Sequence, residues 1–175
     1  MASVLLKVNS FPPIEPPQAR LLILGSMPGV ASLNAQQYYA HPRNAFWPIM
    51  GGLFGASPEL PYSERVAVLQ AHGIAVWDVL ASCERPGSLD AAITKSSMVP
   101  NDFNEFLTRH PSVRHVFFNG GTAEQSFRRH VLPLVHDHTL ILQRLPSTSP
   151  AHAAMSLAHK LAAWSVIKET LSLLP

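Results

Sequence analysis

The sequence predicts an α/β fold: a three-layer α/β/α sandwich around a mostly parallel four-stranded sheet. Four apolar segments of strand length alternate with segments of helical periodicity. When a helix connects each strand to the next, the strands run parallel and the helices pack on both faces of the sheet. With 175 residues, of which 47% are hydrophobic and 14% charged, the chain can form one sizeable core. We therefore expect a single domain over residues 1–175, in which residues 1–19 are a proline-rich lead-in.

The predicted strands are short apolar runs that end at glycine or polar residues. The first, RLLILGS, is a continuous apolar run that closes at Gly25 and Ser26, as a buried strand of a parallel sheet does. Residues 11–19 before it carry four prolines in nine positions, which predicts an extended or irregular lead-in. The predicted strands cover residues 20–26, 74–80, 113–121 and 138–145.

The predicted helices are placed by their caps and apolar stripes. Ser63 is the expected N-cap of the first helix, and Asn101 or Asp102 that of the second. The last helix is expected to have Ser149 as its N-cap and Pro150 at its first position, because proline is favoured there. The predicted helices cover residues 62–73, 101–111 and 122–132, and a last segment from residue 150 onward.

Composition excludes several classes of protein. The apolar runs are shorter than the about 18 residues of a membrane span, and the N-terminus lacks a signal-peptide layout. The single cysteine, Cys83, excludes an internal disulfide and an all-cysteine metal site. His136 and His138 share a strand face without a third ligand nearby, so no metal or other cofactor is predicted. We expect a cytoplasmic protein with no membrane partner.

The topology predicts where a site lies. Open α/β sheets bind ligands beyond the carboxyl ends of their strands. Four segments are therefore expected to meet at one edge of the sheet: residues 25–47, 78–90, 119–122 and 145–152. The net charge of +2, from nine arginines and four lysines against eleven acidic residues, allows a nucleic-acid partner there without requiring one.

The first of these segments opens with GSMPG at residues 25–29. This run is neither a phosphate-binding Walker loop nor a dinucleotide fingerprint, and the chain has no G-x-S-x-G nucleophile elbow. It is either a turn at the end of a strand or a place where backbone approaches a ligand. In the loop that follows, Tyr38 and Tyr39 either cover an edge of the core or stack on a planar base. Phe46 and Trp47 are expected to belong to the core.

Polar side chains stand at the other strand ends. The Asp78 carboxylate can accept a hydrogen bond from a ring N–H or cap a following turn, and Asn119 has the same two interpretations. Ser147, Thr148 and Ser149 come at the predicted start of the last helix. They either hold a phosphate group together with the free N–H groups of that helix, or they only cap and turn the chain.

Taken together, these segments resemble the uracil-DNA glycosylase superfamily. Mismatch-specific uracil/thymine glycosylases carry Gly-Ile-Asn-Pro-Gly, an aromatic residue and then His-Pro-x-Asn-x-Phe-Trp. The corresponding runs here are residues 25–29, Tyr39 and residues 41–47. Residues 118–121 look like the Phe-Asn-Gly of that group, and residues 145–150 look like its second motif. The resemblance covers all four predicted strand ends and most of the chain.

One departure indicates the subfamily. The mismatch-specific enzymes use an asparagine of the first motif to position the attacking water, and Met27 stands in that place here. The whole pattern is instead similar to the hypoxanthine-DNA glycosylase family, also called DNA-deoxyinosine glycosylases. In that family the catalytic asparagine lies in the second part of the loop, which corresponds to Asn44. His152 replaces an asparagine that the family often carries in its second motif.

The resemblance implies a monofunctional glycosylase that flips a deaminated base, chiefly hypoxanthine, out of DNA and hydrolyses its glycosidic bond. It implies that Asn44 orients the water and that no cofactor takes part. The implied base-binding residues are Tyr39, Gly25, Ser26, Met27, Asp78 and Asn119. The implied DNA-binding residues are His41, Arg43, Ser147, Thr148, Ser149, Pro150 and His152.

Three alternatives stay open on the sequence. Uracil is the main substrate in the first, and the second is a DNA-binding module of the same fold that has no activity. The third is an unrelated α/β hydrolase acting on a nucleoside or phosphoester. The expected partner is DNA containing deaminated bases, bound by a monomer.

Overall fold

The central sheet has the predicted parallel architecture. The structure, a computed structural model, describes residues 7–136 and 139–175. Its four-stranded sheet has the order β3-β2-β6-β7 with every neighbouring pair parallel, and a three-stranded sheet has the order β1-β4-β5. The strands are β1 Lys7–Asn9, β2 Leu21–Gly25, β3 Ile74–Asp78, β4 Leu80–Glu84, β5 Val99–Pro100, β6 His115–Asn119 and β7 Ile141–Leu145.

Register brings the polar strand ends together. Gly25 at the end of β2 pairs with Asp78 at the end of β3, and Asn119 of β6 pairs with Leu145 of β7. The predicted strand over residues 138–145 is observed over the last five of them. His138, which begins that prediction and belongs to the histidine pair, lies outside the described residues.

The predicted strand over residues 74–80 divides in two, which corrects the sequence prediction. β3 ends at Asp78, and β4 begins two residues later in the antiparallel sheet. The turn at Val79 joins the two sheets, since its N–H donates to the Gly25 carbonyl at 2.8 Å and its carbonyl accepts from the Asn101 N–H at 2.9 Å. An unbroken apolar run carries no signal for this change of sheet.

Seven helices are found in the described part of the chain: α1 Val30–Ala35, α2 Phe46–Phe54, α3 Tyr62–Ala71, α4 Phe103–Arg109, α5 Gly121–His130, α6 Leu157–Trp164 and α7 Val166–Leu173. Short 3-10 turns cover Asp90–Ala92, Lys95–Ser97 and Leu132–Leu134. The Asp102 cap is confirmed, because its Oδ1 accepts from the Glu105 N–H at 3.1 Å. The Ser63 cap is wrong, since α3 begins at Tyr62 after Pro61.

The start of the last helix is also corrected. Ser149 does not cap a helix, and Pro150 lies in a turn in which the His152 N–H donates to the Ser149 carbonyl at 2.9 Å. The helix begins at Leu157, where the Ser156 hydroxyl accepts from the His159 N–H at 3.2 Å. A serine followed by proline suits both a helix start and a turn, so the local pattern did not separate them.

Apolar side chains cover both faces of the central sheet. One core packs beneath α4 and α5, and the other packs beneath α2, α6 and α7. Phe46 and Trp47 are buried in the second core, as predicted. None of the helices in the described ranges is long and apolar enough to cross a membrane.

Candidate active site

A cavity of about 860 Å³ opens at the carboxyl ends of the central strands. Its walls come from the four segments expected there, together with the start of α5. Every residue assigned to the site from the sequence lines it: Gly25, Ser26, Met27, Tyr39, His41, Arg43, Asn44, Asp78, Asn119, Ser147, Thr148, Ser149, Pro150 and His152. The volume lies within the range of about 300–1,000 Å³ typical of ligand sites.

Gly25 forms the floor of this cavity between two polar groups. A Cβ atom at this position would lie 2.6 Å from Asp78 Oδ1 and 2.8 Å from the Tyr39 hydroxyl. Both distances are far shorter than ordinary van der Waals contact, so only glycine lets the carboxyl and the hydroxyl approach the strand end. The glycine of the first motif therefore shapes the floor.

Asp78 is buried at this floor with part of its hydrogen-bonding capacity unused. Its side chain is 3% exposed, and its Oδ2 atom receives no hydrogen bond from any described residue. Burial, and secondly the negative charge of Asp90, raise the pKa of Asp78 to about 7, whereas the Arg85 guanidinium opposes them. The carboxyl is thus poised to exchange a proton near neutral pH.

Tyr39 presents its hydroxyl, rather than an open ring, to the floor. Its backbone is left-handed with φ of 55°, and one ring face stacks on Phe46 with centroids 4.1 Å apart. Only the opposite face is left to contact a base. The buried hydroxyl lies close enough to the Asn119 amide for that amide to lower its pKa, but the amide is engaged by Thr148 and the hydroxyl forms no regular hydrogen bond with a described residue. Burial and the nearby Asp78 carboxyl raise the pKa of Tyr39, so it stays protonated.

Asn44 is held in a turn that leads into α2. Its Oδ1 accepts from the Phe46 N–H at 2.9 Å, and its own N–H donates to the His41 carbonyl at 2.9 Å. The next N–H, that of Ala45, donates to the Thr148 carbonyl at 2.9 Å. These bonds fix the amide at the wall of the cavity, and the side chain stays partly exposed.

Asn119 and Thr148 form a closed pair opposite Asp78. Asn119 Nδ2 donates to Thr148 Oγ1 at 2.9 Å, and Asn119 Oδ1 accepts from the Thr148 N–H at 2.9 Å. Thr148 is 1% exposed. Gly120 follows in the left-handed region with φ of 91°, where a Cβ would lie 3.0 Å from Ser147 Cβ. The pair ties β6 to the loop after β7 and, through Thr148, to the Asn44 turn.

The loop over residues 146–156 lacks the helix start that would hold a phosphate group. Ser147 Oγ accepts from the Ser149 N–H at 3.2 Å, and Ser149 Oγ accepts from the Ala151 N–H at 3.2 Å. These are local turn contacts, and the first helical residue comes only at Leu157. The two serines are partly exposed and His152 is exposed. Arg43, which is also exposed, adds a positive charge to the same rim.

Sequence reasoning missed two charged groups beside the floor. Asp90 lines the cavity, and its Oδ1 accepts from the Ser26 hydroxyl at 2.7 Å. Arg85 is 1% exposed and donates to the carbonyls of Gly87 at 2.8 Å and Pro28 at 2.5 Å. Both residues lie in the 78–90 segment expected at this edge, but no motif or spacing distinguishes them from surface charges.

Comparisons with known proteins identify the family. The family model described as the uracil DNA glycosylase superfamily matches residues 12–168. A Methanosarcina acetivorans protein named hypoxanthine DNA glycosylase is 32% identical over 149 residues, which are 85% of this chain and 90% of the relative. Its namesake from Methanosarcina barkeri is 34% identical over 116 residues, 66% of this chain and 72% of the relative.

A solved structure has the same fold. It is a solution NMR structure of a candidate uracil DNA glycosylase from Methanosarcina acetivorans, and it superposes with a TM-score of 0.78 and 29% identity. The match covers 95% of this chain and 99% of that one. The family model spans the whole central sheet and every segment that lines the cavity. The chain therefore belongs to the uracil DNA glycosylase superfamily.

Proposed function

We propose that the protein is a monofunctional DNA glycosylase that removes deaminated bases, chiefly hypoxanthine from deoxyinosine, in base excision repair. One observation carries the proposal: the fixed amide of Asn44 lines a strand-end cavity of about 860 Å³. In the first motif, Met27 lines the same cavity and offers no amide to hold a water molecule. The two curated relatives named hypoxanthine DNA glycosylase support the choice of base.

The substrate base has to leave the duplex to enter such a cavity. Flipping a nucleotide out of the stack costs a few kcal/mol, and it costs least where base pairing is already weak. Hypoxanthine, the product of adenine deamination, pairs poorly with thymine. The cavity then encloses the flipped nucleotide and leaves its sugar near the mouth.

Asn44 acts on the sugar. Its amide orients a water molecule toward C1′ as the glycosidic bond lengthens and the sugar gains oxocarbenium character. Because Oδ1 already accepts from the Phe46 N–H, the amide is held in one orientation before the substrate arrives. Preorganisation of this kind avoids reorientation during the reaction.

The base is recognised at the floor and the DNA at the rim. Tyr39 contacts the ring, while Asp78 and the backbone of residues 25–27 read its edge. Asn119 acts through Thr148, because its amide is already engaged there. The DNA backbone is contacted by the exposed and partly exposed rim residues His41, Arg43, Ser147, Ser149, Pro150 and His152.

Base release occurs without strand cleavage. Strand cleavage by glycosylases uses an amine that forms a Schiff base with the sugar, and no lysine is among the described residues that line the cavity. Lys160, the lysine near this loop, donates its Nζ to the His152 carbonyl at 2.7 Å. The protein works as a cytoplasmic monomer on DNA, without a cofactor.

The test is release of base from a panel of duplexes that contain hypoxanthine, uracil or xanthine. We expect hypoxanthine to be released fastest, and Asn44→Ala to slow release by about 100-fold or more while DNA affinity persists. Asn34→Ala, on the exposed side of α1, is the matched control. Full activity of the Asn44 variant would refute the site assignment.

Other results of the same panel identify other functions. Preferential release of uracil would make the protein a uracil glycosylase, which the solved relative favours. Salt-dependent DNA binding with no release from any substrate would indicate a binding module. Turnover of free deoxyinosine in place of DNA would indicate a nucleoside hydrolase.

A further inference from the structure

Two buried polar atoms at the cavity floor lack partners within the described chain. They are Asp78 Oδ2 and the Tyr39 hydroxyl oxygen, which lie on the same side of Gly25. A buried polar atom without a hydrogen bond costs about 1–3 kcal/mol, so such atoms are rare unless a ligand supplies the partner. Both residues line the cavity, and the partner that suits them is the flipped base.

The charges around Asp78 are arranged to keep its proton. The charged groups that act on it are Asp90 and Arg85, and Asp78 in turn raises the pKa of the nearby hydroxyls of Tyr38 and Tyr39. Arg85 directs two of its nitrogens to backbone carbonyls, and no ion pair joins it to a carboxylate within the described residues. Burial and the like charge of Asp90 outweigh this cation, so the pKa of Asp78 lies at about 7.

We propose that Asp78 is a second catalytic residue, a general acid that donates its proton to the departing purine. This proposal rests on the glycosylase function proposed above. The C1′–N9 bond breaks and its electron pair stays with the base, while the Asp78 proton moves to N7. Water forms the new bond to C1′ and loses its proton to solvent, from which the Asp78 carboxylate is reprotonated. The products are neutral hypoxanthine and an abasic sugar.

Purine release can use such a donor in a way that pyrimidine release cannot. An N9-linked hypoxanthine carries N7, a ring nitrogen with a free lone pair that accepts a proton, and protonation there lets the base leave as a neutral molecule. The Asn44 amide has no acidic proton to give. Asp90 also lines the cavity and its pKa is raised by burial, but its Oδ1 accepts from the Ser26 hydroxyl at 2.7 Å and its side chain is exposed. Of the lining histidines, His41 has its Nδ1 engaged by the Arg43 N–H at 3.0 Å, and His152 is exposed at the rim. Asp78 is the buried acid at the floor.

The experiment is single-turnover release of hypoxanthine from inosine-containing duplex between pH 5.5 and 9. For the native protein we expect the rate to fall about tenfold per pH unit above roughly pH 7, where Asp78 loses its proton. Asp78→Asn should be slower by about 100-fold or more and should lose this pH dependence. An Asp78→Asn rate that falls with pH as the native rate does would overturn the proposal.

A second variant avoids dependence on the folding of Asp78→Asn. Asp90 is exposed, and its negative charge helps to raise the pKa of Asp78. Asp90→Asn should therefore move the midpoint of the pH profile to lower pH, whereas an unchanged midpoint would contradict the role of Asp78. His41→Gln and His152→Gln are the controls, and loss of the pH dependence in either would assign the proton to that histidine instead.

The leaving group provides a readout that a purely structural role would not change. In 7-deazahypoxanthine a carbon replaces N7, so the base cannot accept the proton there. We expect the native protein and Asp78→Asn to release this base at the same low rate. A native rate that equals the inosine rate would refute protonation at N7. No release of hypoxanthine by the native protein would instead refute the proposed function itself.

Discussion

The two strands that flank β2, namely β3 and β6, both end in a polar side chain, but only one of these side chains has its hydrogen bonds satisfied. On one side, Asn119 and Thr148 satisfy each other through two hydrogen bonds of 2.9 Å. On the other side, the atoms Asp78 Oδ2 and Tyr39 Oη are buried but receive no hydrogen bond from the described residues. Asn119 and Thr148, the closed pair, stabilise the wall of the cavity. Asp78 and Tyr39, the open pair, have hydrogen-bonding capacity left for a ligand.

This difference has an energetic meaning. A buried hydrogen bond contributes about 0.5–1.5 kcal/mol, whereas an unpaired buried group lowers stability by about 1–3 kcal/mol. Variants of the closed pair should therefore lose stability first. Variants of the open pair should lose activity while stability is kept or even increased, as is common at functional sites.

The largest effect is expected from Gly25→Ala, which places a methyl group between the two residues of the open pair. The new Cβ would lie 2.6 Å from Asp78 Oδ1 and 2.8 Å from the Tyr39 hydroxyl, so both groups must move. Because displacements of about 1 Å at a reacting centre cost about 100-fold in rate, we expect a loss of base release of that size. Single-turnover assays measure it. Gly29→Ala, whose Cβ would meet Ser88 Oγ at 3.4 Å, is the control from the same loop.

Asn119→Ala should disrupt the closed pair and lower the free energy of unfolding by about 2–4 kcal/mol. It removes both hydrogen bonds and leaves the Thr148 N–H buried without a partner. Chemical denaturation measures the change. Thr148→Val, which keeps the N–H contact and loses the hydroxyl, should cost about half as much. Equal stability of Asn119→Ala and the native protein would show that the pair is not structural.

Asp78→Asn should raise stability at high pH. The pKa of Asp78 is raised from its ordinary value of 3.8 to about 7 in the fold, so the folded state holds the proton more tightly than the unfolded state. This contribution is complete below about pH 4 and is lost as pH rises through 7. At pH 8 we expect the asparagine variant to be more stable by up to about 4 kcal/mol, with the difference vanishing toward pH 4. Thermal unfolding at the two pH values tests the sign.

The two neighbouring tyrosines provide the finest comparison. Tyr38 donates its hydroxyl to the Pro12 carbonyl at 2.8 Å, whereas the Tyr39 hydroxyl has no partner among the described residues. We expect Tyr38→Phe to lower the free energy of unfolding by about 1 kcal/mol and Tyr39→Phe to leave it unchanged or slightly raised. Parallel melting curves measure both. Equal losses would mean that the Tyr39 hydroxyl is satisfied in solution.

Regular periodicity explains which elements were predictable. Continuous apolar runs gave β2 and β6, and the Asp102 cap placed the start of α4. The short helices α1 and α2 were missed because α1 has only six residues of mixed polarity, and α2 contains a proline and two glycines in an apolar run without a stripe. The antiparallel sheet was missed because β1 and β5 have three and two residues, too few for a pattern.

The candidate site was predictable as a location and a set of residues. The strand-end rule and the motifs assigned fourteen residues, and all of them line the cavity. What each side chain does within it was less accessible, because hydrogen-bond satisfaction depends on groups distant in sequence. Asp90 and Arg85, which act on Asp78, carried no local signal.

The sequence by itself determined the succession of the main strands and helices along the chain, the apolar runs that form the parallel sheet, and the family resemblance. Periodicity and motif spacing are local properties, so they can be read without the fold. Only the tertiary structure decided that the Asn119 amide is hydrogen-bonded to Thr148 and that Asp78 Oδ2 has no hydrogen-bond partner among the described residues. Burial and partner geometry arise when β2, β3, β6 and β7 align their ends, and these properties set both the pKa of Asp78 and its availability to a ligand.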